Sequence, residues 1–209
     1  MALNRYAVEL LGTFFLMLTI GMVVIPPGEA GALAPVAIGV VLIALVYAGG
    51  HVSGAHYNPA VTLAVLIRKG IRGAEAAGYV VAQLAGAAIA VFAAAWLKGD
   101  ADPSTIEVAA GRNFLAELLF TFALVWVILN VATAKKNEGN QFFGVAIGLT
   151  VMAGAFAVGP ISGAAFNPAV TTGLGIVGIL EWPVAAVQYA AQAVAGVLAA
   201  VVFGATVRE

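Results

Sequence analysis

Ser53-Gly54-Ala55-His56-Tyr57-Asn58-Pro59-Ala60-Val61-Thr62 is answered, 109 residues later, by Ser162-Gly163-Ala164-Ala165-Phe166-Asn167-Pro168-Ala169-Val170-Thr171. Asn is a favoured helix N-cap and Pro is favoured at the first helical position, so each Asn-Pro starts a helix rather than breaking one. The apolar stretches they head, 58–67 and 167–178, are short. Such a helix rises about 15 Å, half of a ~30 Å hydrocarbon core.

The rest of the chain makes that core the relevant solvent. The 209 residues are 63% hydrophobic and 9% charged, with a mean hydropathy of +1.05. An ordinary soluble domain carries about 25% charged residues. Too little polar surface is present to cover a water-exposed globule, and the chain reads as an all-α polytopic membrane protein. The net charge of −1 excludes a basic nucleic-acid-binding surface. The absence of cysteine removes disulfides, thiolate metal sites and Cys catalysis. With only two His, a metal site is not expected, nor is any cofactor.

Six apolar segments are long enough to span: about 5–25, 34–51, 74–97, 112–133, 141–159 and 182–205. The first is read as a span, not as a cleavable signal. Breaker clusters separate them at Pro26-Pro27-Gly28-Glu29, Lys98-Gly99-Asp100-Ala101-Asp102-Pro103 and Lys135-Lys136-Asn137-Glu138-Gly139. The chain also repeats. Glu9-Leu10-Leu11 with Thr13-Phe14 matches Glu117-Leu118-Leu119 with Thr121-Phe122 at an offset of 108, and Ala82-Gln83 matches Ala191-Gln192 at 109. One membrane domain over 1–209 is expected, its first repeat about 1–108 and its second about 109–209. Each repeat holds three spans, an odd number, so the second enters from the opposite side and the repeat is inverted. With both termini in the cytoplasm, Arg5, Arg68, Lys69, Arg72, Lys135, Lys136 and Arg208 lie inside and only Lys98 and Arg112 outside, a clear positive-inside bias. Glu29, Asp100, Asp102, Glu107 and Glu181 fall mainly outside.

The two short helices then enter from opposite faces as re-entrant half-helices, and their N-termini meet near the midplane. Irregular backbone at that depth must be buried in protein or line a water-filled cavity. This applies to the loops expected at 49–57 and 160–166. Their carbonyls supply a line of acceptors, the Asn58 and Asn167 amides supply central donors, and the helix dipoles point positive ends at one place, which disfavours cations. That combination describes a pore for small neutral hydrogen-bonding molecules.

These residues resemble the aquaporin, or major intrinsic protein, family over essentially the whole chain. The resemblance rests on Ala7-Val8-Glu9-Leu10-Leu11-Gly12-Thr13-Phe14, on the block from Gly50-His51-Val52 through Asn58-Pro59-Ala60-Val61-Thr62, and on Asn167-Pro168-Ala169. It implies six spanning helices plus two half-helices, a pore in each subunit and a homotetramer in the plasma (inner) membrane. It also implies a selectivity constriction on the extracellular side of the paired motifs, at Ile38, Ala155, Ala164 and Val170 here. Water-selective relatives place an aromatic, a His, a small residue and an Arg at those positions. This chain lacks the aromatic, the His and the Arg. The Arg-Asp pair of glycerol facilitators is absent as well, since Val170-Thr171-Thr172 follows the second motif. Some plant vacuolar members, associated with water, urea, peroxide and ammonia, have Ala and Val at the positions of Ala164 and Val170. The expected consequence is a wider, apolar constriction, unless Phe156 or Phe166 fills the space.

Among the remaining polar residues, Glu9 and Glu117 stand inside spans. They are read as acceptors for the loop backbone of their own halves, the alternative being a proton or ion relay. His51 and His56 are read as loop support at the inner vestibule, with pH sensing as the alternative. Gln83 and Gln192 are read as interhelical hydrogen-bonding groups, and Trp96 and Trp182 as interfacial anchors. The function expected is a passive channel for water and other small neutral solutes. The alternatives are a facilitator mainly for ammonia, hydrogen peroxide, urea or glycerol, and a non-conducting scaffold with the same fold. No acid–base cluster favours an enzyme, and only Glu9 and Glu117 would serve an ion-coupled transporter. One outcome follows from the cysteine count alone: mercurial reagents that act on pore thiols leave permeability unchanged, as stopped-flow light scattering on proteoliposomes with and without mercury will read.

Overall fold

The computed structural model describes residues 2–27, 29–99, 105–106 and 108–207. Gly28, Asp100, Ala101, Asp102, Pro103, Glu107 and Arg208, to which the sequence reading gave a loop or a side, lie outside the described residues. Eight α-helices follow one another: α1 (Ala2–Val24), α2 (Ala34–Ser53), α3 (Pro59–Ile67), α4 (Gly73–Lys98), α5 (Ala110–Ile128), α6 (Phe143–Ser162), α7 (Pro168–Ile176) and α8 (Trp182–Thr206). Six of them are long and apolar enough to cross a membrane. The other two, α3 and α7, have nine residues each and rise about 14 Å.

Two features of the long helices differ from the expectation. α2 and α6 run on through Ser53 and Ser162, with Pro160 accommodated inside α6. The irregular loops are therefore shorter than 49–57 and 160–166. Each helix stops at a glycine in the left-handed region, Gly54 at φ 87° and Gly163 at φ 81°, whose N–H reaches back to Gly50 O or Gly159 O. Only glycine adopts that conformation without steric cost, so these two glycines set where the spans end. The fifth span closes with one wide π-turn over Leu129–Thr133, pinned by Asn137 Nδ2 donating to Asn130 O at 2.9 Å and Asn140 Nδ2 donating to Val131 O at 2.7 Å.

Contacts at the helix ends define two faces. On the face holding the termini, Arg5 pairs with Glu75 at 2.6 Å, and the Arg68 guanidinium stacks 4.8 Å over the Phe203 ring. On the far face, Lys98 Nζ donates to Pro27 O at 2.6 Å and Ile106 N to Ile179 O at 2.9 Å. α3 ends on the first face and α7 on the second.

Packing follows the repeat and then crosses it. α1 lies on α4 and α5 on α8, while each half-helix packs against the last span of the opposite half, α3 on α8 and α7 on α4. In lipid no hydrophobic drive separates helix from surroundings, so close backbone approach carries association. A Cβ on Gly86 of α4 would stand 2.4 Å from Leu10 O of α1, and one on Gly196 of α8 would stand 2.8 Å from Ala60 O of α3. α2 and α6 cross at Gly39 and Gly148, where an added Cβ would meet the other glycine's carbonyl at 2.9 and 2.5 Å. The large apolar side chains left over, such as Phe92, Trp96 and Trp182, are exposed on the outer surface. Overpacking of such contacts costs about 1–3 kcal/mol. Gly86→Val will therefore lower the melting temperature in detergent, whereas Gly73→Ala, with nothing within 4 Å of its new Cβ, will leave it unchanged.

Candidate functional site

The site begins with two loops in an uncommon backbone conformation. Ala55, Tyr57, Ala164 and Phe166 have φ of 51°, 49°, 51° and 49°. Left-handed geometry in residues with a Cβ costs of order 1 kcal/mol each and persists only where surroundings enforce it. Here the enforcing groups are the two buried carboxylates. Glu9 accepts from Ser53 Oγ at 2.6 Å, His56 N at 3.0 Å, Tyr57 N at 2.7 Å and Gln83 Nε2 at 2.8 Å. Glu117 accepts from Ser162 Oγ at 2.8 Å, Ala165 N at 3.0 Å, Phe166 N at 2.7 Å and Gln192 Nε2 at 2.8 Å. Both are fully buried. The geometry is that of loop support, with every carboxylate oxygen taken by donors. Gln83 and Gln192 also donate to Thr62 and Thr171 of the half-helices, at 3.0 and 2.9 Å.

Aromatic rings wedge the same loops. The Tyr57 ring fills the space above Gly12 and Gly49, and Phe166 fills that above Gly154. Tyr57 Oη donates to Leu45 O at 3.1 Å. Phe166 stacks on Phe120 at 5.5 Å. With their N–H groups turned toward the carboxylates, the loops leave the carbonyl oxygens of Gly54, Ala55 and His56, and of Gly163, Ala164 and Ala165, without a donor among the described residues.

The half-helices meet head to head. Asn58 Oδ1 caps α3 by accepting from Ala60 N at 2.8 Å, and Asn167 Oδ1 caps α7 by accepting from Ala169 N at 2.9 Å. Each amide then reaches across the repeat: Asn58 Nδ2 donates to Phe166 O at 2.9 Å and Asn167 Nδ2 to Tyr57 O at 2.8 Å. Each retains a second N–H, and both residues line a cavity.

That cavity, about 220 Å³, extends along α2 from Ala34 to Val46 and passes Asn58 and Asn167. Ile38, Ala155, Ala164 and Val170 all line it on the far-face side of the Asn pair. Neither Phe156 nor Phe166 does: Phe156 is exposed on the outer surface and Phe166 is buried against Phe120. The space left by the short side chains at Ala155 and Val170 is thus not refilled by them. A second cavity, about 570 Å³, shares Val46, Ala55, Ile128 and Ile147 with the first and continues past Gly50 and His51 to Lys135–Asn140. Along α2, Ala34 to His51 is about 25 Å of helix, so the two cavities together follow most of a bilayer core.

His56 lines the first cavity and its Nδ1 lies 3.1 Å from Thr62 Oγ1. His51 departs from its expected role: it is exposed on the last turn of α2, lines the second cavity, and makes no hydrogen bond among the described residues. Its ring points along the vestibule instead of reaching the loop because α2 carries on past it to Ser53. The sequence reading also missed Leu16, Ile20 and Val24, which line the cavity from α1. Their spacing of four was a usable signal. Ile106 lines it from an irregular connection and had no such signal.

A six-span fold, head-to-head half-helices and a cavity between two Asn-Pro-Ala motifs form one constellation, and the family model described as "Major intrinsic protein" matches residues 31–203. The chain belongs to the major intrinsic protein family. Members of this family are channels, not enzymes, and this member is an integral membrane channel. Among its relatives, Aquaporin NIP1-4 of Oryza sativa subsp. japonica is 37% identical over 184 residues, covering 84% of this chain and 67% of that protein. Glycerol uptake facilitator protein-like 6 of Lactiplantibacillus plantarum is 36% identical, covering 82% of each. The fold matches the X-ray structure of the aquaglyceroporin from Plasmodium falciparum with a TM-score of 0.83 at 19% identity, over 99% of this chain and 97% of that one. Several plant relatives are longer, and the chain spans about two thirds of their length (64–67%).

The carboxylates of this channel are acceptors only, so an amide in their place sets an N–H against existing donors. Leaving buried partners unpaired costs about 1–3 kcal/mol per group. Glu9→Gln and Glu117→Gln will each lower the detergent melting temperature and lower water permeability per folded channel; Glu→Asp at either site will do so less.

Proposed function

We propose that this channel passes water and other small neutral solutes down their gradients, through a single-file path between Asn58 and Asn167. The observation that carries this reading is the pairing of bare loop carbonyls with two half-used Asn amides at a point where two helix N-termini converge. A hydrogen-bonding solute finds acceptors along one wall and donors at the centre. A cation meets two positive helix ends in a low-dielectric setting, where charge is strongly disfavoured. The names of the relatives, an aquaporin and a glycerol uptake facilitator, support both water and a small polyol or amide as solutes.

In this reading Asn58-Pro59-Ala60 and Asn167-Pro168-Ala169 form the centre, and Ile38, Ala155, Ala164 and Val170 form the selectivity constriction. Glu9, Glu117 and His56 hold the loops, and His51 shapes the inner mouth. The chain acts as one domain of two repeats dividing near residue 108, with both termini in the cytoplasm, in a plasma (inner) membrane homotetramer. The constriction carries no cation and no donor side chain, so it discriminates less by size than one closed by an Arg.

Purified protein in liposomes tests this directly. Water permeability above empty liposomes is expected, with measurable uptake of urea, glycerol, ammonia or peroxide; values equal to empty liposomes for all of them would refute the channel reading. Val170→Arg is expected to reduce glycerol and urea passage more than water. An equal reduction of every solute would remove Val170 from the constriction.

A further inference from the structure

We propose that Ile106, on the connection between α4 and α5, is a specificity-determining residue that completes an apolar collar at the far-face end of the pore. The inference rests on the channel reading above and deepens it. Ile106 lines the same cavity as Ile38, Ala155, Ala164 and Val170. A Cβ built on Gly163 would lie 3.5 Å from Ile106 Cδ1, so the side chain rests over the backbone that leads into Ala164. Its place is held by two hydrogen bonds to the end of the second half-helix segment. Ile106 N donates to Ile179 O at 2.9 Å, and Thr105 Oγ1 donates to Gly178 O at 3.0 Å. Ile179 is itself buried and tied to Leu174 O at 3.0 Å. A connecting segment is thereby fastened to the rigid body that carries Asn167 and Val170.

The consequence is chemical. At the level of Gly163 and Ala164 the side chains facing the cavity offer neither donor nor acceptor, and the bare loop carbonyls form the one polar wall. A solute passing there sheds water on its remaining sides, which disfavours strongly hydrated molecules over weakly hydrated ones of similar size. Ile106 supplies the side of that collar that the four constriction positions leave to a connecting segment. Its bulk sets the opening and its apolarity sets the dehydration required.

The test is a pair of substitutions acting in opposite directions, read in liposomes against the wild-type channel. Ile106→Ala is expected to raise the urea-to-water and glycerol-to-water permeability ratios by about threefold or more, and Ile106→Phe to lower both, in keeping with the sensitivity of apolar pockets to a few methylenes. Thr105→Val removes one fastening and is expected to shift the ratios in the direction of Ile106→Ala by a smaller amount. A merely structural role would scale water and solutes together. Ratios unchanged in both Ile106 variants, with the wild type conducting, overturn the assignment of Ile106 and leave the channel reading intact. A wild type no more permeable than empty liposomes overturns both.

Discussion

Everything at the centre of this molecule depends on two carboxylates placed where carboxylates are least welcome. A re-entrant loop must turn its N–H groups somewhere, and in a bilayer core there is no water to receive them. Glu9 and Glu117 receive them, each through four short hydrogen bonds that include two consecutive backbone N–H groups. The desolvation cost of a buried charge is offset only when its lone pairs are filled in this way. Because donors are drawn to the carboxylate side, the carbonyls are left on the cavity side. The polar wall of the pore is therefore the reverse face of the solution to a hydrogen-bonding problem, and the two functions cannot be separated by mutation.

The remaining walls are a study in the opposite chemistry. Three α1 residues, the constriction positions and Ile106 present aliphatic surface to the cavity, so the path alternates a hydrogen-bonding line with a smooth apolar lining. An apolar lining holds a small molecule weakly, which helps it leave as well as enter. Exclusion of cations then falls on the convergent helix ends, since no Lys or Arg lines the first cavity. This electrostatic barrier is built from backbone and is insensitive to pH.

Most of the architecture was legible because membrane insertion imposes strong sequence signatures. Spans read as long apolar runs, and Asn58-Pro59 and Asn167-Pro168 read as helix starts because capping chemistry is local. Glu9 and Glu117 could be paired with their loops because the repeat placed them alike in both halves. What escaped depended on geometry with no local period. The ends of α2 and α6 were placed too early because a left-handed glycine stop looks like any other glycine, and Gly49, Gly50 and Gly54 compete for that role. His51 was drawn into the loop by the same error. The π-turn at Leu129–Thr133 is fixed by Asn137 and Asn140, several residues away, and Ile106 reaches the cavity from an irregular segment. The far-reaching contact that ties the centre together, Asn58 to Phe166 O and Asn167 to Tyr57 O, follows only once the two half-helices are seen head to head.

That reciprocal tie has a consequence for how the protein is made. Asn58 and Tyr57 find their partners 108 and 110 residues further along the chain. Synthesis adds roughly 5–20 residues per second, so on the order of ten seconds pass between the emergence of the first loop and that of the second. Throughout that interval the first three spans are present in the bilayer with an unmatched carbonyl and an unmatched amide at their heart, and α3 lacks α8, the helix it packs against. The newborn first half is thus an unfinished surface that needs shelter from lipid until its counterpart arrives, which makes the membrane-insertion machinery part of the folding environment of this pore.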